Sequence, residues 1–126
     1  MFEININTEY GAYYLKDSLN LEENNSINLS YLDEPENTLV ECVNIFGLPF
    51  FEGVNKVILL FDNTDLTDDY EFHQTVILRS ESLFIELSDW SGNIYAKIPV
   101  SNKDVKLDFY SEDSETLNPL IILIGD

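Results

Sequence analysis

An all-β fold, an antiparallel β-sandwich or flattened barrel of about eight to ten short strands, is predicted by three observations. Apolar and polar residues alternate with a period of two along most of the chain. Gly, Pro, Asn and Asp cluster between the alternating runs. No apolar stripe with the helical period of 3.6 extends beyond one turn.

The alternation places the strands. Phe2, Ile4 and Ile6 alternate with Glu3, Asn5 and Asn7, and Ile27, Leu29 and Tyr31 with Asn28 and Ser30. Leu83, Ile85 and Leu87 alternate with Phe84, Glu86 and Ser88. Ile94, Ala96 and Ile98 alternate with Tyr95 and Lys97, and Val105, Leu107 and Phe109 with Lys106 and Asp108. Each reads as a strand with one solvated face. Val57 to Phe61 and Leu120 to Ile124 are apolar on both faces and read as central strands. Further strands are expected at Ala12–Lys16, Thr38–Phe46 and Glu71–Arg79. Ile58, Leu60, Ile85, Ile98, Leu107 and Ile122 are the expected core. With 126 residues, 44% of them hydrophobic, one domain spanning 1–126 is expected.

Charge is the unusual feature. Twenty-four Asp and Glu against six Lys and Arg give a net charge of −18. Self-repulsion on this scale costs stability, so it implies a use for the field. Direct contact with nucleic acid or an anionic membrane is disfavoured. A basic protein or a divalent cation is favoured. No basic residue lies between Lys16 and Lys56, whereas acids recur through that stretch and again in 62–71 and 108–115.

An enzyme is not expected. His73, the one histidine, sits inside a predicted strand, with no local nucleophile or orienting acid. The single cysteine, Cys42, reads as a small buried apolar residue, and no Cys/His cluster suits zinc. None of the five glycines forms a phosphate loop. Asp62 to Asp69 is rich in oxygen ligands, which suits calcium, but it lacks the glycine and distal glutamate of an EF-hand loop. No cofactor and no metal are expected. The start Met1-Phe2-Glu3-Ile4-Asn5 does not read as a signal peptide, so the expected compartment is the cytoplasm.

Aromatic side chains stand beside acids in three predicted turns. These are Tyr70 after Asp65, Asp68 and Asp69; Trp90 after Asp89; and Tyr110 before Glu112 and Asp113. Aromatic anchors among carboxylates suit a Lys/Arg-rich protein partner, so these nine residues are the expected contacts. Trp90 is read either as an anchor or as a plug closing the end of the sandwich. The oligomeric state is not legible.

Two stretches resemble the competence protein J family, inhibitors of bacterial DNA-entry nucleases. One runs from Ile4 through Tyr10-Gly11-Ala12-Tyr13-Tyr14 to Asp17. The other runs from Lys56 to about Asp113, with Thr75-Val76, Ile85-Glu86-Leu87 and Lys97-Ile98-Pro99 in similar order. The chain departs from the family between Ser18 and Phe51, and at Ser101 to Asp104, where the family has a glycine. The resemblance implies an acidic sandwich that blocks a nuclease. The charge leads separately to an inhibitor of a basic nucleic-acid enzyme, an immunity or antitoxin protein. A phage or plasmid DNA mimic that disarms a host defence enzyme is the alternative, and a calcium-dependent binding module the third.

Overall fold

The computed structural model describes residues 2–7, 11–19, 26–29, 38–48, 52–66, 68–112 and 117–125. Among these the chain forms β1 (Phe2–Ile6), β2 (Ala12–Asp17), β3 (Ser26–Leu29), β4 (Thr38–Val40), β5 (Cys42–Phe46) and β6 (Asn55–Leu60). A 3-10 turn at Asn63–Asp65 follows. Then come β7 (Glu71–Arg79), β8 (Phe84–Asp89), β9 (Ile94–Pro99), β10 (Asp104–Ser111) and β11 (Leu120–Gly125). Two sheets pack face to face: a six-stranded sheet β1-β6-β11-β10-β7-β4 and a five-stranded sheet β3-β5-β2-β8-β9. The fold is an all-β sandwich. Among the described residues no helix is long and apolar enough to cross a membrane.

The core lies between the sheets. Leu107 and Phe109 of β10, Val76 and Leu78 of β7, and Ile122 of β11 meet Leu15 of β2, Val43 and Ile45 of β5, and Ile85 and Leu87 of β8. The two doubly apolar runs are central strands, β6 and β11, and their second faces are covered too, since Leu60 and Ile121 are buried. Five of the six expected core residues are buried. Ile58 is the exception: it faces away from the opposite sheet and is half-buried.

The structure corrects the prediction in three places. The sheets are mixed, with β3 parallel to β5, β4 to β7 and β11 to β6. The predicted strand Thr38–Phe46 is two strands in different sheets, broken at Glu41. The chain changes sheets at Glu41; Cys42 and Val43 already pair in register with Lys16 and Leu15 of β2 and point to opposite faces of β5, both of them covered. Ile94 points outward, because a bulge against Leu87/Ser88 pairs it with Ser88 and breaks the alternation through Tyr95. Ser30 and Tyr31, expected in β3, lie outside the described residues.

Strand direction defines two ends. β6 and β7 both run toward the upper end, where Arg79 meets Asp104. Between Leu60 and Glu71 the chain therefore returns to the lower end, where Glu71 meets Ser111. The second sheet is fixed to this frame at Asp17, whose Oδ1 accepts from Ser80 Oγ at 3.0 Å, from Ser82 N at 3.1 Å and from Ser82 Oγ. The turn 89–93 therefore falls at the lower end.

Candidate functional site: an aromatic pair in an acidic end

The lower end receives most of the expected contacts. Asp68, Asp69 and Tyr70 lead into β7, while Tyr110 and Glu112 sit at the far end of β10. Asp68, Asp69, Glu71 and Glu112 are exposed, and Tyr70 is half-buried. Asp65 closes the 3-10 turn farther back in the connection. Asp113 lies outside the described residues.

A bulge builds the centre of this end. Along β7 the inward positions are Leu78, Val76 and Gln74, so alternation would send Phe72 inward as well. The ladder instead pairs Gln74 with Phe109 and Phe72 with Tyr110, leaving His73 as the extra residue. Phe72 is thereby turned outward, 43% exposed, with its ring edge-on to Tyr110 at 5.4 Å. Burial, and then the nearby Asp108 carboxylate, push the Tyr110 phenol above its usual pKa. Asp108 itself accepts a hydrogen bond from Thr75 Oγ1 at 2.5 Å.

His73 Nε2 lies 2.6 Å from Ser111 Oγ. A hydroxyl does therefore reach the histidine, which its sequence neighbours gave no reason to expect. Ser111 is fully buried, so this contact holds the bulge and presents no nucleophile to solvent. Burial holds the His73 ring below its usual pKa, against an opposing pull from Glu71.

Asp89 has a different use from the one expected of it. It is 2% exposed, and its carboxylate organises the turn below it. Oδ1 accepts from Ser91 N at 2.9 Å and Asn93 N at 3.1 Å; Oδ2 accepts from Asn93 Nδ2 at 3.1 Å and the Tyr95 hydroxyl at 2.6 Å. Burial works to raise the Asp89 pKa, but these donors outweigh it and hold the group below its ordinary value. The Tyr95 phenol is pushed up to about 12 by burial and by that carboxylate. Asp89 is thus a turn residue and not a rim contact.

Trp90, which follows it, is 61% exposed and is not a core plug. Its ring meets Tyr14 edge-on at 6.2 Å on the outer face of the five-stranded sheet. The Phe72–Tyr110 pair stands on the outer face of the other sheet. Trp90 and Tyr110 therefore share an end of the molecule but look out from opposite faces. Tyr14 carries the Lys16 ammonium 5.2 Å from its ring centre, and Lys16 lies 3.9 Å from Glu86.

Cations concentrate elsewhere. At the upper end Arg79 binds Glu81 and Asp104, both at 2.8 Å, and Lys103 reaches Glu81 at 3.3 Å. Lys56, toward the lower end, is held by Glu3 at 3.0 Å. Its pKa is raised first by that hydrogen bond, and also by the more distant Glu112 and Tyr70. Among the described residues no group of three or more His, Cys, Asp or Glu is placed to hold a metal ion.

No family model matches the chain, and no curated protein or solved structure matches it.

Proposed function

We propose that this protein inhibits a basic nucleic-acid enzyme, a nuclease or nuclease toxin, by binding it and covering its substrate cleft. The reading is carried by one observation: an outward-facing Phe72–Tyr110 ring pair at the same end of the molecule as Asp68, Asp69, Tyr70, Glu71 and Glu112, on a chain of net charge −18. A cleft that binds phosphates presents Lys and Arg. Carboxylates can take the place of those phosphates, while a desolvated aromatic pair supplies holding energy that charge alone lacks. Such a field raises association rates to as much as about 10⁸–10⁹ M⁻¹s⁻¹ at low salt. An inhibitor that meets its enzyme in a shared cytoplasm gains from that speed.

The test starts with the immobilised full chain as bait in a lysate of its native host, with mass spectrometry of what it retains. The retained protein is then purified and assayed on DNA and RNA. We expect a basic enzyme whose activity falls stoichiometrically as this chain is added. Phe72→Ala with Tyr110→Ala, checked for fold by circular dichroism, should weaken inhibition by about 2–4 kcal/mol. A retained protein with no nucleic-acid activity, or with activity unchanged at equimolar inhibitor, would overturn the proposal.

A further inference from the structure

β1 and β9 are edge strands of their respective sheets, and they lie near one another along one seam of the sandwich. Between them is a cleft of about 320 Å³, lined chiefly by Phe2, Ile4, Leu59, Phe61, Tyr95 and Ile98. Its mouth is unusually apolar for so acidic a chain. Phe2 is 61% exposed and Phe61 47%, and their rings meet edge-on at 5.9 Å.

Among the described residues no strand pairs with the outer edge of β9 beside this cleft. Val100 N donates to Leu83 O at 3.0 Å, so residues 100 and 83 form a hydrogen-bonded pair. Such pairs alternate along an antiparallel ladder. Ile98 and Ala96 therefore bond to β8 through their main chain, opposite Ile85 and Leu87. Lys97 and Pro99 fall between them, with their main-chain groups turned away from β8. Pro99 has no N–H to lose at such a position. Lys97 offers both an N–H and a C=O.

We propose that the outer edge of β9 docks an extended segment of a partner protein, which pairs with Lys97 through its main chain and seats an apolar side chain in the cleft. Added strands are recognised in this way: main-chain bonds supply affinity, and a pocket beside the edge selects alternate side chains. Charge decides between a second copy and a different protein. Two copies meeting along β9 would each bring a charge of −18, whereas a segment carrying Lys or Arg is attracted. Lys97 and Pro99 also shorten the stretch over which β9 could pair with itself. The inference rests on the proposed function only for the partner's sign of charge, since β9 is distinct from the Phe72–Tyr110 end.

The probe is a capped eight-residue peptide alternating lysine with leucine and valine, and the control alternates lysine with serine at equal charge. Both are titrated into the isotope-labelled full chain at about 0.15 M salt, where long-range attraction is screened, and followed by amide NMR. The expected result is saturable shifts at Lys97, Ile98, Phe2 and Ile4 with the apolar peptide, and none with the control. Lys97→Pro removes the outward N–H without touching the β8 ladder, and should weaken binding by about fivefold or more, while Lys97→Ala stays within about twofold. If Lys97→Pro does not fold, Phe2→Ala with Phe61→Ala removes exposed walls of the cleft and should weaken binding comparably. Shifts confined to Phe72, Tyr110 and Glu112, equal binding of the serine peptide, or a concentration-dependent dimer joined at β9 would each overturn the inference. Any of these could occur while nuclease capture succeeds, so the two failures are distinguishable.

Discussion

Replacing Asp89 tests whether the lower end is pre-built by the chain's own hydrogen bonds. Four donors converge on this carboxylate: the main-chain N–H groups of Ser91 and Asn93, the Asn93 side-chain amide and the Tyr95 hydroxyl. A hydrogen bond to a charged group contributes about 1.5–3 kcal/mol net. The full sum overstates the loss, because Ser91 and Asn93 are exposed and regain water. Asp89→Ala should therefore cost about 3–4 kcal/mol. Asp89→Asn keeps an acceptor for the two main-chain donors but loses the charge, and should cost about 1–2 kcal/mol. Urea unfolding followed by far-UV circular dichroism would show the alanine midpoint lowered by about 1–3 M at unchanged slope. The pH dependence adds a second check. The folded pKa of Asp89 is depressed, so its stabilisation is present above the unfolded value of about 3.9 and is lost as pH falls through the folded value. Asp89→Asn should flatten that part of the acid limb. An alanine variant within about 0.5 kcal/mol of the parent would refute this reasoning.

Two further outcomes follow from the packing. A Cβ on Gly47 would lie 2.1 Å from Asn55 Oδ1, and that amide clamps Leu48 N at 2.6 Å and Leu48 O at 2.7 Å. Gly47→Ala should therefore cost about 2–3 kcal/mol in chemical denaturation, through two lost hydrogen bonds to a buried side chain. His73, whose folded pKa burial depresses, favours the neutral ring. Its stabilisation is complete above the unfolded pKa of about 6.5 and is lost as pH falls through the lower folded value. In urea titrations at a series of pH values, His73→Gln should flatten the slope in that window.

The sandwich was legible where the cause is local. Val57 to Phe61 and Leu120 to Ile124 are apolar on both faces, and both lie in central strands where the outward-facing Leu60 and Ile121 are buried as well as the inward-facing Val57, Leu59, Leu120 and Ile122. The pattern Val105, Leu107, Phe109 gave three inward residues, all fully buried. What the sequence did not show depends on partners distant in the chain. The bulge at His73 exists only against β10, so Phe72 was not legible as an exposed aromatic. Asp89 looks like any acid in a turn until Tyr95 and Asn93 are seen to close on it. The parallel pairs β3–β5 and β4–β7 arise because the chain changes sheets at Glu41, between two strands that alternation joins into one. Acid and aromatic stand side by side in the sequence, but the face on which each ring stands is set by the sheet it belongs to and, for Phe72, by the bulge.

The central claim is that the acidic lower end steers a basic partner into place. The most direct measurement is the association rate constant with the captured enzyme, by stopped flow, across a salt series. The wild-type rate should fall steeply as salt rises. A variant combining Asp68→Asn, Asp69→Asn, Glu71→Gln and Glu112→Gln should associate more slowly at low salt, with a flatter salt dependence and a dissociation rate changed much less. A wild-type rate indifferent to salt, or a variant with the parent's rates at every salt concentration, would contradict the claim that this surface is where the partner is recognised.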